Sequence, residues 1–353
     1  MDQVLQEWQE RVSAAARQGQ ALRLRGGGSK DWYGQQAHGE LFDTRAWRGI
    51  VDYEPSELVV TARCGTPLAE LERELAAQGQ MLAFEPPHFG PGATVGGMVA
   101  SGLSGPRRQC AGAVRDFVLG AHLMNGSGET LRFGGQVMKN VAGYDVSRLL
   151  AGSLGTLGLL LQVSLKVLPR PVAETTLRFA LPQDEALRSL NAWGGQALPL
   201  SASVWHDGVL TVRLSGAGAA VRAARIGLGG EEFNGAAYWA GLCEQTDAFF
   251  DEQADCALWR LSVPTNAAPL ALPGSQLIEW GGAQRWLHTE ATAAEVRAEA
   301  LRLGGHATLY RHGDKAHGVF HPLPAPLAAL HRRLKTSFDP AGVFNRGRMY
   351  PDF

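Results

Sequence analysis

Glycine is concentrated in one stretch of this 353-residue chain. Between Phe89 and Gly158, 16 of the 70 residues are glycine, about three times the usual fraction. Glycine loses more backbone freedom on folding than any other residue, so this density needs a structural reason. Two reasons are open: close approach of the backbone to a ligand, or a series of tight turns between short strands. The glycines fall in distinct clusters between apolar segments, and this grouping favours the ligand.

A further cluster lies earlier in the chain, after the short apolar stretch at residues 21–24. It consists of Arg25, Gly26, Gly27, Gly28, Ser29 and Lys30. Successive glycines let neighbouring backbone N–H groups turn toward one anion. Ser29 and Lys30 add a hydroxyl donor and a positive charge that suit a pyrophosphate. The spacing of a Walker A loop is absent, and alone this cluster is equally typical of a flexible surface turn.

The second cluster spans Pro86–Gly102. Thr94 is predicted to cap a short helix that begins at Val95. Gly96 and Gly97 would let the start of that helix lie against a phosphate or a flat ring. The GxGxxG fingerprint of a Rossmann dinucleotide site does not occur here. The pattern therefore favours a flavin, held by a fold other than the Rossmann fold, and makes a nicotinamide dinucleotide less suitable as the ligand.

The third cluster has two parts, Lys139–Asp145 and Gly152–Gly158. A helix over Asp145–Leu150 is expected between them, with a glycine at its end. Gly155 and Gly158 would let a flat group pack on the backbone before the next strand. This cluster is therefore a third candidate contact for the same ligand.

The elements around these clusters indicate an α+β fold rather than a regular βαβ array. Val118–Met124 and Glu129–Phe133 are apolar runs joined by a hairpin signature. Thr66 is expected to cap a helix that has Pro67 at its first position. After residue 171, antiparallel strands such as His306–Arg311 alternate with helices, which suits a ferredoxin-like cap domain.

Charge and cysteine content exclude several classes of protein. The net charge of −1 and the pI of about 6.8 argue against a broad nucleic-acid or anionic-membrane surface, because phosphate binding needs clustered positive charge. The four cysteines lack CxxC spacing, which disfavours an iron–sulfur cluster or structural zinc on this chain and suits reduced thiols in a cytosol. The most apolar run, Ala151–Leu168, contains Gln162 and Lys166, so we expect a buried strand and no membrane span.

Taken together and in this order, the three clusters resemble the FAD-binding domain of the vanillyl-alcohol oxidase/p-cresol methylhydroxylase (PCMH) type. The tail at Leu334–Arg348 resembles the closing segment of that family. The resemblance covers residues 20–170 and 331–348. It implies a two-lobed FAD-binding domain over residues 1–170, an α+β cap over 171–330, and a tail over 331–353 that returns to the first domain. Within the family, the small cap and Gly304–Arg311 are similar to the smaller FAD-binding subunits of glycolate oxidase.

The resemblance also implies a set of cofactor contacts. The Arg25–Lys30 loop matches the pyrophosphate loop of the family, and Thr94 precedes its backbone donors. The implied FAD contacts are Arg25, Gly26, Gly27, Gly28, Ser29, Lys30, Pro91, Thr94, Gly96, Gly97, Ala100, Ser101, Gly102, Gly105, Arg108, Gly155, Gly158 and Arg348. Many covalent members attach the flavin to a histidine just after the first glycines, and Ser29–Tyr33 contains none. We therefore predict non-covalent FAD.

The resemblance further implies partners and a location. The similar complexes contain a larger FAD-binding subunit and an iron–sulfur subunit, and electrons pass from flavin through clusters toward the quinone pool. The substrate would be a small 2-hydroxy acid such as glycolate. The expected location is cytoplasmic, at the inner face of the cytoplasmic membrane through the partner subunits.

Catalytic residues are less sharply indicated than cofactor contacts. Oxidation of a 2-hydroxy acid needs a cation for the carboxylate, a base for the hydroxyl proton and the flavin N5 as hydride acceptor. The residues with suitable chemistry are Lys139, Tyr144, His306 and Arg311. Each also has an ordinary structural role open to it: Lys139 and Tyr144 as supports for FAD, and His306 as a hydrogen-bonded structural histidine.

The segment His312–His321 partly matches H-x-G-D-G-N-x-H, a metal-binding motif of the larger hydroxy-acid subunits. Lys315 and Ala316 replace its glycine and asparagine. A lysine beside a metal ion disfavours binding, so we expect no metal. This departure weakens the case for independent turnover by the isolated chain.

Three functions are consistent with these observations. The first is a flavoenzyme subunit that oxidises glycolate or a related 2-hydroxy acid. The second is a subunit that holds FAD or relays electrons and leaves substrate chemistry to its larger partner. The third is a self-sufficient FAD-dependent oxidase of another alcohol, or a synthase of the alkyl-dihydroxyacetone type, with its substrate site in the cap.

Overall fold

Two large sheets and two strand pairs organise the structure, a computed structural model that describes residues 3–135, 145–251 and 256–352. We call residues 3–169 the N-terminal region and residues 173–311 the cap. In chain order, the N-terminal region contains α1 (Gln3–Gln18), β1 (Leu22–Arg25), β2 (Glu40–Asp43), β3 (Ile50–Glu54), β4 (Val59–Arg63), α2 (Leu68–Ala77), β5 (Gln80–Met81), α3 (Val95–Ser101), α4 (Arg108–Ala111), α5 (Val114–Phe117), β6 (Val118–Met124), β7 (Thr130–Gly134), α6 (Val146–Leu149), β8 (Leu159–Lys166) and β9 (Leu168–Pro169).

The main sheet of the N-terminal region has the strand order β3-β4-β8-β6-β7, and each neighbouring pair is antiparallel. Strands β1 and β2 form a separate parallel pair. Helix α2 buries Leu68, Leu71 and Leu75 in the same core that receives Met98 and Val99 of α3. Each such side chain stabilises the fold by roughly 1.5–3 kcal/mol. This core fixes the position of α3 and of the loop before it.

The second part of the chain forms the cap and a C-terminal helix. Its elements are β10 (Ala173–Ala180), α7 (Gln183–Gly194), β11 (Leu200–His206), β12 (Val209–Gly216), α8 (Gly218–Leu228), β13 (Glu231–Phe233), α9 (Ala236–Glu244), α10 (Ala248–Asp251), β14 (Leu258–Ser262), β15 (Ser275–Glu279), β16 (Gln284–His288), α11 (Ala293–Arg302), β17 (His306–Arg311) and α12 (Ala325–Phe338). Short 3₁₀ turns lie at Trp280–Gly282 and Lys315–His317.

The cap strands form one antiparallel sheet in the order β13-β10-β12-β11-β15-β16-β14-β17. The first four strands have the order of a ferredoxin-like unit, with α7 and α8 as its helices. The last four strands have the same order when they are counted inward from the β17 edge. Helix α11 precedes β17. The described link between β14 and β15 contains no helix. The predicted α+β fold with a ferredoxin-like cap is therefore confirmed, and the cap consists of two such halves.

The C-terminal segment returns to the N-terminal region and pairs with β1. Leu22 donates its N–H to the carbonyl of Val343 at 2.7 Å and accepts from the N–H of Asn345 at 3.0 Å. The buried Lys335 ammonium donates to Asp339 at 2.6 Å and to the carbonyls of Thr156 and Phe344 at 2.7 and 2.8 Å. Removal of one partner from such a buried pair is strongly destabilising. These bonds hold the tail beside the strand that leads into the Arg25–Lys30 loop.

Several local predictions match the structure and one does not. The hairpin of β6 and β7, the strand β17 and the Thr94 cap of α3 are present. The apolar run at residues 151–168 contributes the buried strand β8, and no described helix combines the length and apolarity that a membrane span needs. The predicted Thr66 cap is wrong: Pro67 is the N-cap residue of α2, and the Thr66 hydroxyl accepts from the Gly49 N–H at 2.9 Å. The domain boundaries at 170 and 330 stay a prediction.

Candidate functional site

A cavity of about 410 Å³ lies between the loop that follows β1 and the start of α3. A second cavity of about 80 Å³ adjoins it and shares part of its wall. Of the predicted FAD contacts, those that line the larger cavity are Arg25, Gly26, Gly27, Gly28, Ser29, Lys30, Thr94, Gly97, Ala100, Ser101 and Arg348. Those that line only the smaller one are Gly96, Gly155 and Gly158.

The two glycine loops at the cavity touch each other through their backbones. A Cβ atom on Gly27 would lie 1.3 Å from the carbonyl oxygen of Gly92, and one on Gly26 would lie 2.3 Å from the Thr94 hydroxyl. Gly28 has a φ of +77°, which disfavours any side chain. Loop–loop contact therefore requires glycine at positions 26 and 27, and backbone conformation favours it at position 28, so ligand approach is not what excludes a side chain there.

The Arg25–Lys30 loop presents a row of free backbone donors. Among the residues that the structure describes, none accepts a hydrogen bond from the N–H of Gly26, Gly27, Gly28, Ser29 or Lys30. The buried Nε of Arg23, on the same cavity wall, also lacks a partner within the described ranges. Unpaired donors that face a cavity are suited to an anionic ligand, because each one left unsatisfied costs free energy. Consecutive N–H groups form an anion-binding nest.

Cations reinforce this anion-binding wall. Arg25 pairs with Asp31 at 2.6 Å, and Lys30 donates to the carbonyl of His88 at 3.1 Å. Burial lowers the pKa of Lys30 to about 8, while the charge of Glu244 acts in the opposite direction. A bound diphosphate would favour the charged form of this lysine.

Arg348 and Lys315 hold the segment that follows the nest. The Arg348 guanidinium donates to the carbonyl of Asp31 at 2.9 Å, and its burial lowers its pKa. The Lys315 ammonium donates to the carbonyls of Trp32 and Gly34 at 2.7 and 2.8 Å. Both side chains line the cavity, so they support its wall and add positive charge.

Asn345 is a site residue that the sequence analysis did not assign. Its side-chain oxygen accepts from the N–H of Leu24 at 2.8 Å, and its side-chain nitrogen donates to the carbonyl of Leu154 at 2.6 Å. It lines both cavities. Its position in the tail that resembles the closing segment of the family was the one sequence signal for Asn345. Its bonds to Leu24 and Leu154 could not be predicted, because they form only when the tail returns to β1.

The structure does not bring four of the predicted FAD contacts to the two cavities. Pro91 is exposed on the loop before Gly92. Gly102 ends α3 in a left-handed conformation, with a φ of +63°. Gly105 donates its N–H to the carbonyl of Glu85 at 2.7 Å. The Arg108 guanidinium lies 4.1 Å from the ring centroid of Trp280, which belongs to the cap.

The predicted catalytic residues do not form one group. His306 and Arg311 occupy the two ends of β17, which places them about 17 Å apart along the strand. Arg311 lies over the Trp32 ring at 4.5 Å. Lys139 and Tyr144 lie outside the described residues.

The metal-like segment has a structural use. Lys315 occupies the 3₁₀ turn and binds the Trp32–Gly34 segment as above, while the Asp314 carboxylate accepts from the N–H of Ala316 at 2.8 Å. The described part of the chain contains no group of three or more metal-ligating side chains. Lys315, the residue that departs from the motif, therefore joins the segment that follows β17 to the cavity wall.

A nest of free amides, a cationic wall and the α+β fold are those of an FAD-binding domain of the vanillyl-alcohol oxidase/PCMH type. A family model described as "FAD binding domain" matches residues 4–134. The chain is 50% identical to glycolate oxidase subunit GlcE of Escherichia coli (strain K12) over 97% of its own length and 96% of that protein. The chain belongs to the family of this subunit, and its cofactor is FAD.

A second sequence relative matches only part of the chain, whereas a solved structure shares its fold over nearly the whole length. Glycolate oxidase subunit GlcD of Bacillus subtilis (strain 168) is 31% identical over 36% of this chain and 27% of its own length. Alkyldihydroxyacetonephosphate synthase shares the fold, with a TM-score of 0.66 at 15% identity over 96% of this chain and 73% of that chain. The resemblance noted in the sequence is thus confirmed for both family and fold.

Replacement of Gly27 tests whether loop contact builds the site. In Gly27→Ala the new methyl group would overlap the Gly92 carbonyl and force the loops apart. Overpacking of this kind costs roughly 1–3 kcal/mol, so we expect FAD affinity to fall by about 10-fold or more. Fluorescence titration of the FAD-free chain with FAD measures this. Gly194→Ala is the matched control, because a Cβ there meets open space; equal affinity of both variants would contradict the account.

Lys30 makes FAD binding depend on pH. Its ammonium is charged below about pH 8 in the FAD-free chain and loses its proton above that value. The diphosphate favours the charged form, so FAD affinity should decline as pH rises above about 8 and should not decline in this range in Lys30→Met. Dissociation constants measured between neutral and alkaline pH check this. An identical decline in wild type and Lys30→Met would assign the effect to another group.

Proposed function

We propose that this chain is the FAD-binding subunit of a multi-subunit glycolate (2-hydroxy acid) oxidase. The observation that carries the proposal is the full-length similarity to glycolate oxidase subunit GlcE, together with an anion-binding nest in the domain that the family model matches. A similarity over 97% of the chain includes the cap as well as the cofactor domain.

Oxidation of a 2-hydroxy acid removes a hydride from the carbon that bears the hydroxyl group and a proton from the oxygen. Bound FAD supplies the acceptor for the hydride. The protein then has three tasks: to bind the substrate carboxylate, to accept the hydroxyl proton and to exclude water. We assign these tasks to the cap and to the aromatic residues where it meets the N-terminal region, at which Tyr310 contacts Trp32 and Tyr33.

We propose that FAD is held non-covalently by the residues of the two cavities. The nest residues Gly26–Lys30 would donate to the diphosphate, while Gly155 and Gly158 would face a flat part of the cofactor. Pro91, Gly102, Gly105 and Arg108 lie outside both cavities, and their role as direct contacts stays a prediction.

His306 is the better supported proton acceptor among the predicted catalytic residues. His306 is exposed at the start of β17, but partial desolvation of its ring and the nearby charges of Arg260 and His321 lower its pKa. Its imidazole is therefore neutral near neutral pH and able to accept a proton. Arg311 is stacked against Trp32 and Phe89. Lys139 and Tyr144 remain predictions.

The proposed partners are a larger FAD-binding subunit and an iron–sulfur subunit of the same complex. Both glycolate oxidase relatives are named as subunits. We propose that the complex is cytoplasmic and meets the inner face of the cytoplasmic membrane through those partners.

A second candidate function is a subunit that holds FAD without binding substrate. The observation in its favour is Lys315, which takes a metal-motif position and uses it to anchor the cavity wall. Under this alternative the larger subunit would perform the chemistry.

Anaerobic addition of glycolate separates the two functions. The FAD-loaded full chain, purified alone, should lose its oxidised-flavin absorbance if it binds and oxidises the substrate. Acid precipitation of the same sample should leave FAD in solution if the cofactor is non-covalent. Unchanged absorbance in the single chain, with bleaching in the complete complex, would support the FAD-holding alternative.

A further inference from the structure

Glu244, the last residue of the cap helix α9, binds the loop that leads into α3. One of its carboxylate oxygens accepts from the N–H of His88 and the other from the N–H of Phe89, each at 2.8 Å. Hydrogen bonds from backbone amides to a charged oxygen are stronger than those between neutral groups. The carboxylate is thus a direct connection between the cap and the glycine-rich segment Pro86–Gly102.

The peptide that Glu244 holds is also bound from the FAD side. The Lys30 ammonium donates to the carbonyl of His88 at 3.1 Å and lies 5.4 Å from the centre of the Phe89 ring. Lys30 belongs to the nest and lines the larger cavity. His88 therefore accepts from the nest through its carbonyl and donates to the cap through its N–H.

The backbone conformation at this point depends on contacts outside the loop. Phe89 has a φ of +53°, in the left-handed region that large side chains rarely adopt. Such a conformation persists only where the surrounding structure determines it. Glu244 binds the N–H of Phe89, and the Phe89 ring packs on Trp32 with 5.4 Å between the ring centroids. These contacts fix the backbone that presents the His88 carbonyl to Lys30.

Helix α9 fixes Glu244 to the cap. The indole N–H of Trp239 in α9 donates to the hydroxyl of Thr176 in β10 at 2.9 Å. Trp239 and Leu242 are buried in a core that also contains Val204 of β11. The position of the Glu244 carboxylate is therefore set by the cap sheet.

We propose that Glu244 is a positioning residue of the FAD site. By binding the N–H groups of His88 and Phe89, it places the His88 carbonyl so that the Lys30 ammonium stays at the wall of the FAD cavity. Glu244 lines neither of the two FAD cavities. Its effect on FAD therefore runs through Lys30, and it makes the FAD site depend on the cap.

The charge of Glu244 acts on Lys30 in the same sense. Burial lowers the pKa of Lys30, and the Glu244 carboxylate raises it. Cys243 of α9 also faces Lys30, but burial raises the pKa of this thiol, which is therefore neutral. The Glu72 carboxylate of α2 pairs with the His88 imidazole at 2.8 Å. The other charged groups of the cavity wall are Arg23, Arg25, Asp31, Lys315 and Arg348.

Titration of the FAD-free full chain with FAD, followed by flavin fluorescence, tests this role. Glu244→Ala removes both bonds and should weaken FAD binding by about 10-fold or more, the effect of losing a charge-assisted hydrogen bond. Glu244→Gln keeps one acceptor oxygen and the size of the side chain, so it should lose less affinity. The matched control is Glu295→Ala, which removes a cap carboxylate that accepts from the N–H of Thr292 at 2.8 Å and should bind FAD as wild type.

The pH dependence separates positioning of Lys30 from a general structural role. In Glu244→Gln no carboxylate at this position favours the charged form of Lys30, so the lysine loses its proton at a lower pH. The alkaline decline of FAD affinity should therefore begin at a lower pH than in the wild type. A decline that begins at the wild-type pH would contradict the proposal, because a general loss of structure lowers the affinity equally at every pH.

A double-mutant cycle tests whether the effect passes through Lys30. In the Lys30→Met background, Glu244→Gln should reduce FAD affinity by a clearly smaller factor than in the wild type, because the group that it positions is gone. Equal factors in the two backgrounds, or wild-type affinity in Glu244→Ala, would overturn the proposal. Circular dichroism of the FAD-free variants verifies that they fold, and Glu244→Gln with the cycle decides the test if Glu244→Ala does not.

Discussion

The contact between the Gly27 backbone and the Gly92 carbonyl is the constraint on which the cofactor site depends. Because neither loop carries a side chain there, the loop after β1 packs directly on the loop before α3. No described residue accepts a hydrogen bond from the amides of the first loop. The site thus combines the close packing of two loops with a row of free donors.

The cap and the tail hold that arrangement in place. The Glu244 carboxylate, at the end of α9, accepts from the N–H groups of His88 and Phe89, each at 2.8 Å. Lys315 and Arg348 hold the carbonyls of the segment after the nest. A change in the position of the cap would thus be felt by the loop before α3, and a change in the tail by the segment that follows the nest.

Local pattern was sufficient for the features that depend on local chemistry. The glycine clusters, the Thr94 cap and the β6–β7 hairpin each follow from a few adjacent residues. The role of Asn345 could not be found this way, because its bonds to Leu24 and Leu154 depend on the return of the C-terminal segment to β1. Thr66 shows the same limit, since its hydroxyl binds Gly49 from a distant turn instead of capping the helix that follows it.

Hydrogen–deuterium exchange of the Gly26–Lys30 amides, compared between FAD-free and FAD-loaded chains, tests the central claim most directly. The account predicts fast exchange without FAD, because these N–H groups have no acceptor in the described structure, and marked protection when FAD is bound. Amides that are already protected without FAD, or that exchange equally fast in both states while FAD is bound, would contradict it.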